Sequence, residues 1–491
     1  MQENQSRFYF ITMAALLVYA VFLQWAGQVN IDIDEQHSGM TGSMWSWVVD
    51  RHPPFAGFVG YLWGVATGFS TIAFFALSKL NALLALWVIY LLNLEFLKPR
   101  LALLGVAAYG ATFPFVSMMT TLDNNSVLHA LWPATVLFTW RGLSHGRWLD
   151  WGYAGILMGL CFLSKYHSLI FGACLLVACF LVFAVKRNWQ WAKLGLACGL
   201  AVALFAPHVL SEYSHGFQTL EWAQSSADGV TNAGPDGRLS IPTFLASNAL
   251  YNLFGTGLLL FLAWRHGWLK FTTPKTANDK SIWHFLLVMA ALFPAFPVLL
   301  SAVFGISLKA TWGFNAFFLL PTLVLWVGAR ASVDAFSEVT WRRFVTVVPA
   351  YLALMTTLVI ANGFTNASRP LALQDTIHEV DRIWSINTDV PIELSVAMSE
   401  TAVGMTFYSK FHPKLKLSGT DPERGTWLLN EERCYERGTV ILWGGRTDWR
   451  DRNGQQPAFD AEIEMPARWT NLTWTKPVYM YMQAFPDGIC F

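Results

Sequence analysis

Charge is what this 491-residue sequence has little of: Asp, Glu, Lys and Arg make up 13% of it, against 54% hydrophobic residues and a mean hydropathy of +0.39. Soluble domains carry about 25% charged residues, so an ordinary water-soluble enzyme is excluded and a polytopic membrane protein is indicated. The net charge is only +1 and no basic patch with interleaved aromatics occurs, which removes nucleic acid as a partner. Neither a Gly-rich phosphate loop nor a Cys/His zinc spacing is present. Cysteine is also sparse. Of six, Cys161, Cys174, Cys179 and Cys198 fall in apolar runs, where a thiol packs as a small hydrophobe. Cys434 and Cys490 lie near the C-terminus, and they are candidate disulfide partners if that region faces an oxidising compartment.

The charge that exists is unevenly placed. Residues 1–364 hold 35 of the 65 charged side chains and residues 365–491 hold the other 30, so the last quarter reads as a water-soluble domain attached to a membrane body. In the body, the apolar run 8–26 has no small-residue cleavage site after it and reads as an uncleaved first span. The long apolar block 55–97 is either two spans, or one interfacial helix over about 55–69 followed by one span. Basic residues choose between these readings. With one span there, later runs bring the total to about 11 spans, and the basic residues divide 15 to 4 between the two sides. The richer side includes Arg7, Lys98, Arg147, Arg187 and Lys193; the poorer has Arg51, Lys165, Arg238 and Lys309. By the positive-inside rule the N-terminus is then cytoplasmic and residues 365–491 lie outside. Outer loops at 29–69 and 211–243 follow, the second with the turn-rich GVTNAGPDG, which suits a mobile loop or a plain connector. Beyond residue 365, segments 391–398, 415–419, 439–444 and 478–485 read as strands, with a helix over ETAVGMTFYSKF, giving a small α/β domain.

Candidate chemistry collects on the acid-rich outer side. Asp34 and Glu35 are adjacent carboxylates just after the first span, and a carboxylate near apolar surface has its pKa raised toward that of a general base. His52-Pro53-Pro54 is stiff, since two prolines fix the backbone that carries His52. Asp123, in TTLDNNS, suits either a reactive carboxylate or a helix N-cap. Lys165, before Tyr166 and His167, and Lys309 are cations on a side poor in them, suited to a phosphate or to snorkelling at the membrane surface. Asp34 and Glu35 would also suit a divalent metal by ligand type, although proton transfer to a carboxylate base requires no cofactor.

In order and spacing, Asp34-Glu35, Asp50-Arg51-His52-Pro53-Pro54, Thr121-Leu122-Asp123 and GLCFLSKY (159–166) resemble the membrane glycosyltransferases of the GT-C fold. The nearest resemblance is to the dolichyl-phosphate-mannose protein mannosyltransferase-like family, with the bacterial aminoarabinose and galacturonic acid transferases to lipid A and lipopolysaccharide core. PHVLSEYSHGFQTLEWA (207–223), which contains Glu212, resembles the segment these proteins carry before their long outer loop. The resemblance implies transfer of a sugar from a polyprenyl-phosphate donor to a lipid or glycan acceptor, with inversion, on the periplasmic face of a bacterial inner membrane. It makes Asp34 the base, assisted by Glu35 or Asp123. His52, Lys165 and Lys309 then neutralise the leaving phosphate, while Tyr166, His167, Glu212 and Trp312 belong to the donor site. Where the aminoarabinose transferases have lysine, this chain has His52. A transporter or lipid flippase is the alternative; it calls for several mid-span charges and internal repeats, whereas the sequence shows little beyond Lys79 and no repeat.

Overall fold

A computed structural model describes residues 2–27, 47, 52–217, 219–220, 240–265, 274–304, 308–331, 348–358, 361, 373–397, 399–417, 434–435, 437–444, 457–465, 468–470, 473–474 and 478–490. Asp34, Glu35, Asp50, Arg51, Asp228 and the GVTNAGPDG segment lie outside the described residues. The chain forms two compact units: one of residues 1–20, 47–55 and 77–359, and one of 21–46, 56–76 and 360–491.

The first unit is helical because its sequence is apolar over helix-length runs. Helices α1 (Gln2–Gly27), α3 (Thr71–Leu94), α4 (Pro99–Gly110) and α5 (Phe113–Met118) open the chain, whereas α2 (Phe55–Thr67) from Ala56 onward, with the end of α1 and the start of α3, belongs to the second unit. The block expected as one interfacial helix plus one span is thus α2 and α3, separated at Gly68 and Phe69, whose φ values of 65° and 54° reverse the chain. At 13 residues α2 is about 20 Å long, well short of a bilayer core of about 30 Å. Then come α6 (Leu128–His145), α7 (Trp148–Phe162), α8 (His167–Lys186), α9 (Trp191–Ser214), α10 (Ile241–Tyr251) and α11 (Leu258–Arg265). The unit closes with α12 (Ala277–Leu287), α13 (Phe293–Phe304), α14 (Leu320–Ala331) and α15 (Val348–Leu358).

Among the described residues five helices are long and apolar enough to cross a membrane, or six if the pair Ile241–Tyr251 and Leu253–Arg265, bent by 65°, counts as one. Several expected spans are therefore interrupted. The run 101–119 breaks between α4 and α5, where Thr112 caps the next helix and Pro114 follows in its first turn. The run 244–264 bends through a π-helical turn at Leu253–Gly257. Gly255 allows this, because a Cβ there would stand 2.0 Å from the Ala108 carbonyl oxygen on α4. Gly155 does the same for α7 and α9, its Cβ position lying 2.4 Å from the Ala197 carbonyl. In the middle of the unit Trp132 stacks on Phe171 at 5.1 Å and meets Phe293 edge-on at 5.0 Å, tying α6, α8 and α13 into one aromatic core.

In the second unit the four expected strands appear as β1 (Leu394–Ala397), β2 (Lys414–Leu417), β4 (Thr439–Gly444) and β8 (Val478–Phe485). The expected helix between the first two is Ser399–Tyr408. The five-stranded sheet has the order β2-β1-β4-β8-β5, with β5 spanning Phe459–Met465; β1 runs parallel to β2 and β4, and β8 antiparallel to β4 and β5. Helix Leu373–Asn387, not expected from the sequence, buries Ile377, Val380 and Trp384 in the same core as Val440, Leu442 and Met482. One two-stranded ladder pairs β6 (Arg468–Thr470) with β7 (Thr473–Trp474), and another pairs β3 (Cys434–Tyr435) with β9 (Ile489–Cys490), placing Cys434 directly opposite Cys490.

Candidate active site

The site is an assembly of short connections between helices of the first unit. Asp123 starts the turn into α6: its Oδ1 accepts from the backbone N–H groups of Asn125 at 3.0 Å and Ser126 at 2.7 Å, and its Oδ2 accepts from Asn125 Nδ2 at 3.0 Å. Ser126 reciprocates, its hydroxyl oxygen accepting from the Asp123 N–H at 2.8 Å. This is a reciprocal Asp–Ser turn produced by the Asp-Asn-Asn-Ser sequence, and it leads into α6, whose own N-cap position is Val127.

The turn then reaches other connections. With its amide nitrogen turned toward them, buried Asn124 donates to the carbonyls of Pro53 at 3.3 Å and Ser164 at 3.2 Å. Lys165 Nζ donates to Asn125 Oδ1. Asn315 Nδ2 donates to the Asn125 carbonyl at 2.7 Å, and Asn81 Nδ2 on α3 donates to the Ser126 carbonyl at 2.8 Å. The Phe55 N–H closes the circuit on the Leu163 carbonyl at 2.9 Å. Segments carrying His52, Asp123 and Lys165, distant in sequence, are thereby fastened to one another. Lys309 and Trp312 belong to the segment that Asn315 holds, with Lys309 extended just before a 3-10 turn at Ala310–Gly313. Burial lowers the Lys309 pKa below the ordinary lysine value.

A second knot adjoins Lys165. His208 on α9, fully buried, bonds the Tyr166 hydroxyl through Nε2 at 2.8 Å and the Trp47 carbonyl through Nδ1 at 2.5 Å. A carbonyl only accepts, so Nδ1 carries the hydrogen and Nε2 accepts from Tyr166. One turn further, both oxygens of Glu212 accept from Thr219, from its hydroxyl at 2.5 Å and its N–H at 3.1 Å. Burial, with the Glu212 carboxylate second, raises the Tyr166 phenol above its usual range. His167 points elsewhere, into the packing between Trp132 and Phe293, with ring centroids 5.8 Å from each.

Sequence reasoning therefore found Asp123, Lys165, Tyr166 and Glu212 in or beside the assembly and placed His52 and Lys309 on segments joined to it. It missed Asn124, Asn125, Asn315, Asn81 and His208, which do the joining. The run Asn124-Asn125 was a legible signal, since two adjacent amides after an Asp supply donors to backbone that turns elsewhere. Nothing in the sequence marks Asn315 or Asn81. Among the described residues no group of three or more His, Cys, Asp and Glu is placed to hold a metal ion.

Residues 51–210 match the sequence profile of the family described as dolichyl-phosphate-mannose-protein mannosyltransferase. The sequence has no match among curated proteins. The crystal structure of ArnT from Cupriavidus metallidurans bound to undecaprenyl phosphate superposes with a TM-score of 0.60 at 13% identity, covering 96% of this chain and 97% of that one. The apo form of the same protein gives 0.62 at 13% identity, over 97% and 98%. The oligosaccharyltransferase AglB from Archaeoglobus fulgidus gives 0.45 at 12% identity, over 85% of this chain and 64% of that one.

Proposed function

We propose that this chain, which has the GT-C fold of the ArnT structures along nearly its whole length, is an integral-membrane glycosyltransferase that takes its sugar from a polyprenyl-phosphate donor. The observation that carries the reading is the fastening of the His52, Asp123 and Lys165 connections into one assembly by Asn124 and Asn125. The profile match at 51–210 covers all three, and the ArnT relative is a protein crystallised with undecaprenyl phosphate.

The reaction is a single displacement at the anomeric carbon. An acceptor hydroxyl or amine attacks, its proton passes to Asp34, and the bond from carbon to phosphate oxygen breaks with its electron pair leaving on the polyprenyl phosphate. Attack opposite the leaving group inverts the anomeric centre. Two positive side chains, Lys165 and Lys309, with His52, offset the charge that develops on the departing phosphate, and fixed donors do this without reorganisation cost. Glu35 supports Asp34, while Asp123 acts through the turn it holds. Tyr166 and Trp312 line the sugar, with the Tyr166 hydroxyl aimed by His208. Lipid A, lipopolysaccharide core or another cell-envelope glycan or protein on the periplasmic side of a bacterial inner membrane is the acceptor this reading favours.

The test compares cell-envelope glycolipids and glycoproteins by mass spectrometry in cells with the chain, without it, and with Asp34→Asn. A sugar-mass increment is expected with the wild-type chain alone, with Asp34→Asn expressed in the membrane at wild-type level. An increment that persists in Asp34→Asn overturns the base assignment, and no increment in any cell-envelope fraction overturns the reading.

A further inference from the structure

Helices α7 and α9 pack closely through Gly155, whereas α8 turns aside to pack on α12, and this leaves an open apolar crevice of about 300 Å³. Its walls include Thr139, Trp151, Met158, Leu176, Leu194 and Cys198. Phe162 and Leu169, next to the Lys165 connection, line one end, and Trp151 and Leu194 line the other. That second end is where the connection between α6 and α7 meets the one between α8 and α9. Lys193 Nζ donates to the Gly146 carbonyl at 2.7 Å, and Trp151 Nε1 donates to Gln190 Oε1 at 3.2 Å.

The chemistry changes sharply at this end. Arg147 and Arg187 are exposed, each without an ion-pair partner among the described residues. The Lys193 ammonium lies 5.8 Å over the Trp148 ring, and the Lys186 ammonium 5.4 Å over the Trp140 ring. Asp150 is the acid nearby in sequence, and it is buried with Oδ2 unpartnered. Trp189 and Trp191 stack at 5.1 Å with an 8° interplanar angle while remaining 48% and 58% exposed. Stacked exposed indoles beside uncompensated cations, at the mouth of an apolar crevice, match the layered chemistry of a phospholipid: hydrocarbon, glycerol interface, anionic head.

We infer that this end of the bundle is a binding site for an anionic glycerophospholipid, with its phosphate held by Arg147, Arg187 and Lys193. One acyl chain enters the crevice between α8 and α9, and the Trp189–Trp191 pair sits at the glycerol level. Arginine supplies the planar fork that phosphate oxygens fit. The site is separate from the one proposed for transfer. A donor phosphate at Lys165 would stand at the far end of the 15-residue α7, about 22 Å away. The inference therefore stands or falls independently of the catalytic reading.

The experiment uses the full chain purified in detergent and measured by native mass spectrometry with dioleoylphosphatidylglycerol, dioleoylphosphatidylcholine or undecaprenyl phosphate as probes. Phosphatidylglycerol is expected to be retained preferentially, and Arg147→Gln/Arg187→Gln/Lys193→Gln to lose about five-fold in that preference for each charge removed. Exposed Cys198, which lines the crevice, reports the acyl chain: its alkylation by a membrane-permeant maleimide slows when phosphatidylglycerol is bound and not in the triple variant. Should the triple variant misfold, Arg187→Gln alone, on an exposed side chain, gives the same readouts at smaller amplitude. Equal retention of the two phospholipids, unchanged preference in the variant, or displacement of phosphatidylglycerol by equimolar undecaprenyl phosphate with equal protection of Cys198 overturns the inference.

Discussion

Both carboxylate oxygens of Asp123 are committed to the turn that follows it, accepting from Asn125 and Ser126. A group so employed is better explained as holding a turn than as a proton carrier, and the two roles respond differently to substitution. Asp123→Ala should cost about 1 kcal/mol of stability, as the loss of side-chain hydrogen bonds to a turn's backbone does. It should also weaken transfer, because Asn125 would no longer be presented to Lys165 and Asn315. Asp123→Ser restores an accepting oxygen, and thermal unfolding of the purified chain together with sugar transfer should both recover toward wild type. Transfer abolished in Asp123→Ser at wild-type stability would instead make Asp123 a reacting group. Residues of this kind were half legible in the sequence. A carboxylate followed by two amides and a serine announces a turn, but the destinations of Asn124, which are the Pro53 and Ser164 carbonyls, depend on chain segments about 70 residues before it and 40 after it.

Elements were legible where a single period or composition governed them. Strands β1, β2, β4 and β8 alternate or run apolar between turn residues, and all four were anticipated. Helix Leu373–Asn387 was not, because its mean composition is polar and only its spacing of Ile377, Val380 and Trp384 builds an apolar face. The interrupted spans were missed for a different reason: hydropathy averages over the breaks at Thr112 and at Leu253–Gly257, where capping and close helix approach decide. The ladder of β3 with β9 adds information that two isolated cysteines could not. Residues directly opposite in an antiparallel pair have Cα atoms about 4.5 to 5.5 Å apart, inside the range a disulfide spans. We propose that Cys434 and Cys490 are joined, by exchange with a disulfide-bearing thiol oxidoreductase that accepts the two electrons while two protons are released. Intact-mass measurement of the chain alkylated without reduction should show these two thiols unmodified, and alkylation after reduction should add two further adducts. Adducts at Cys434 and Cys490 before reduction would rule the bond out. Its loss in Cys434→Ser should lower the unfolding midpoint of the C-terminal unit, since a bridge over a loop of this length typically contributes about 2 to 4 kcal/mol.

At the scale of the whole molecule, charge and sidedness decide. A membrane body with a water-soluble C-terminal part is what composition alone proposes, because 30 of 65 charged residues crowd into residues 365–491. Orientation depends on a smaller signal, the 15 to 4 division of basic residues, and on counting α2 as lying along the surface. The antiparallel run of α6 to α9 puts Arg147, Arg187 and Lys193 at one end and Lys165 at the other. We propose, by the positive-inside rule, that the first group lies in the cytoplasm and residues 365–491 outside, where the proposed disulfide would form. Two exposed positions test this without touching the proposed site: Asn188, between α8 and α9, and Asn387, at the end of helix Leu373–Asn387. In a Cys198→Ala background, Asn387→Cys should react with a membrane-impermeant maleimide once the outer membrane is opened, and Asn188→Cys only after the inner membrane is lysed. The reverse pattern would turn the protein over, placing Lys165 and its partners in the cytoplasm, where the sugar transfer proposed for them has no extracytoplasmic acceptor to reach.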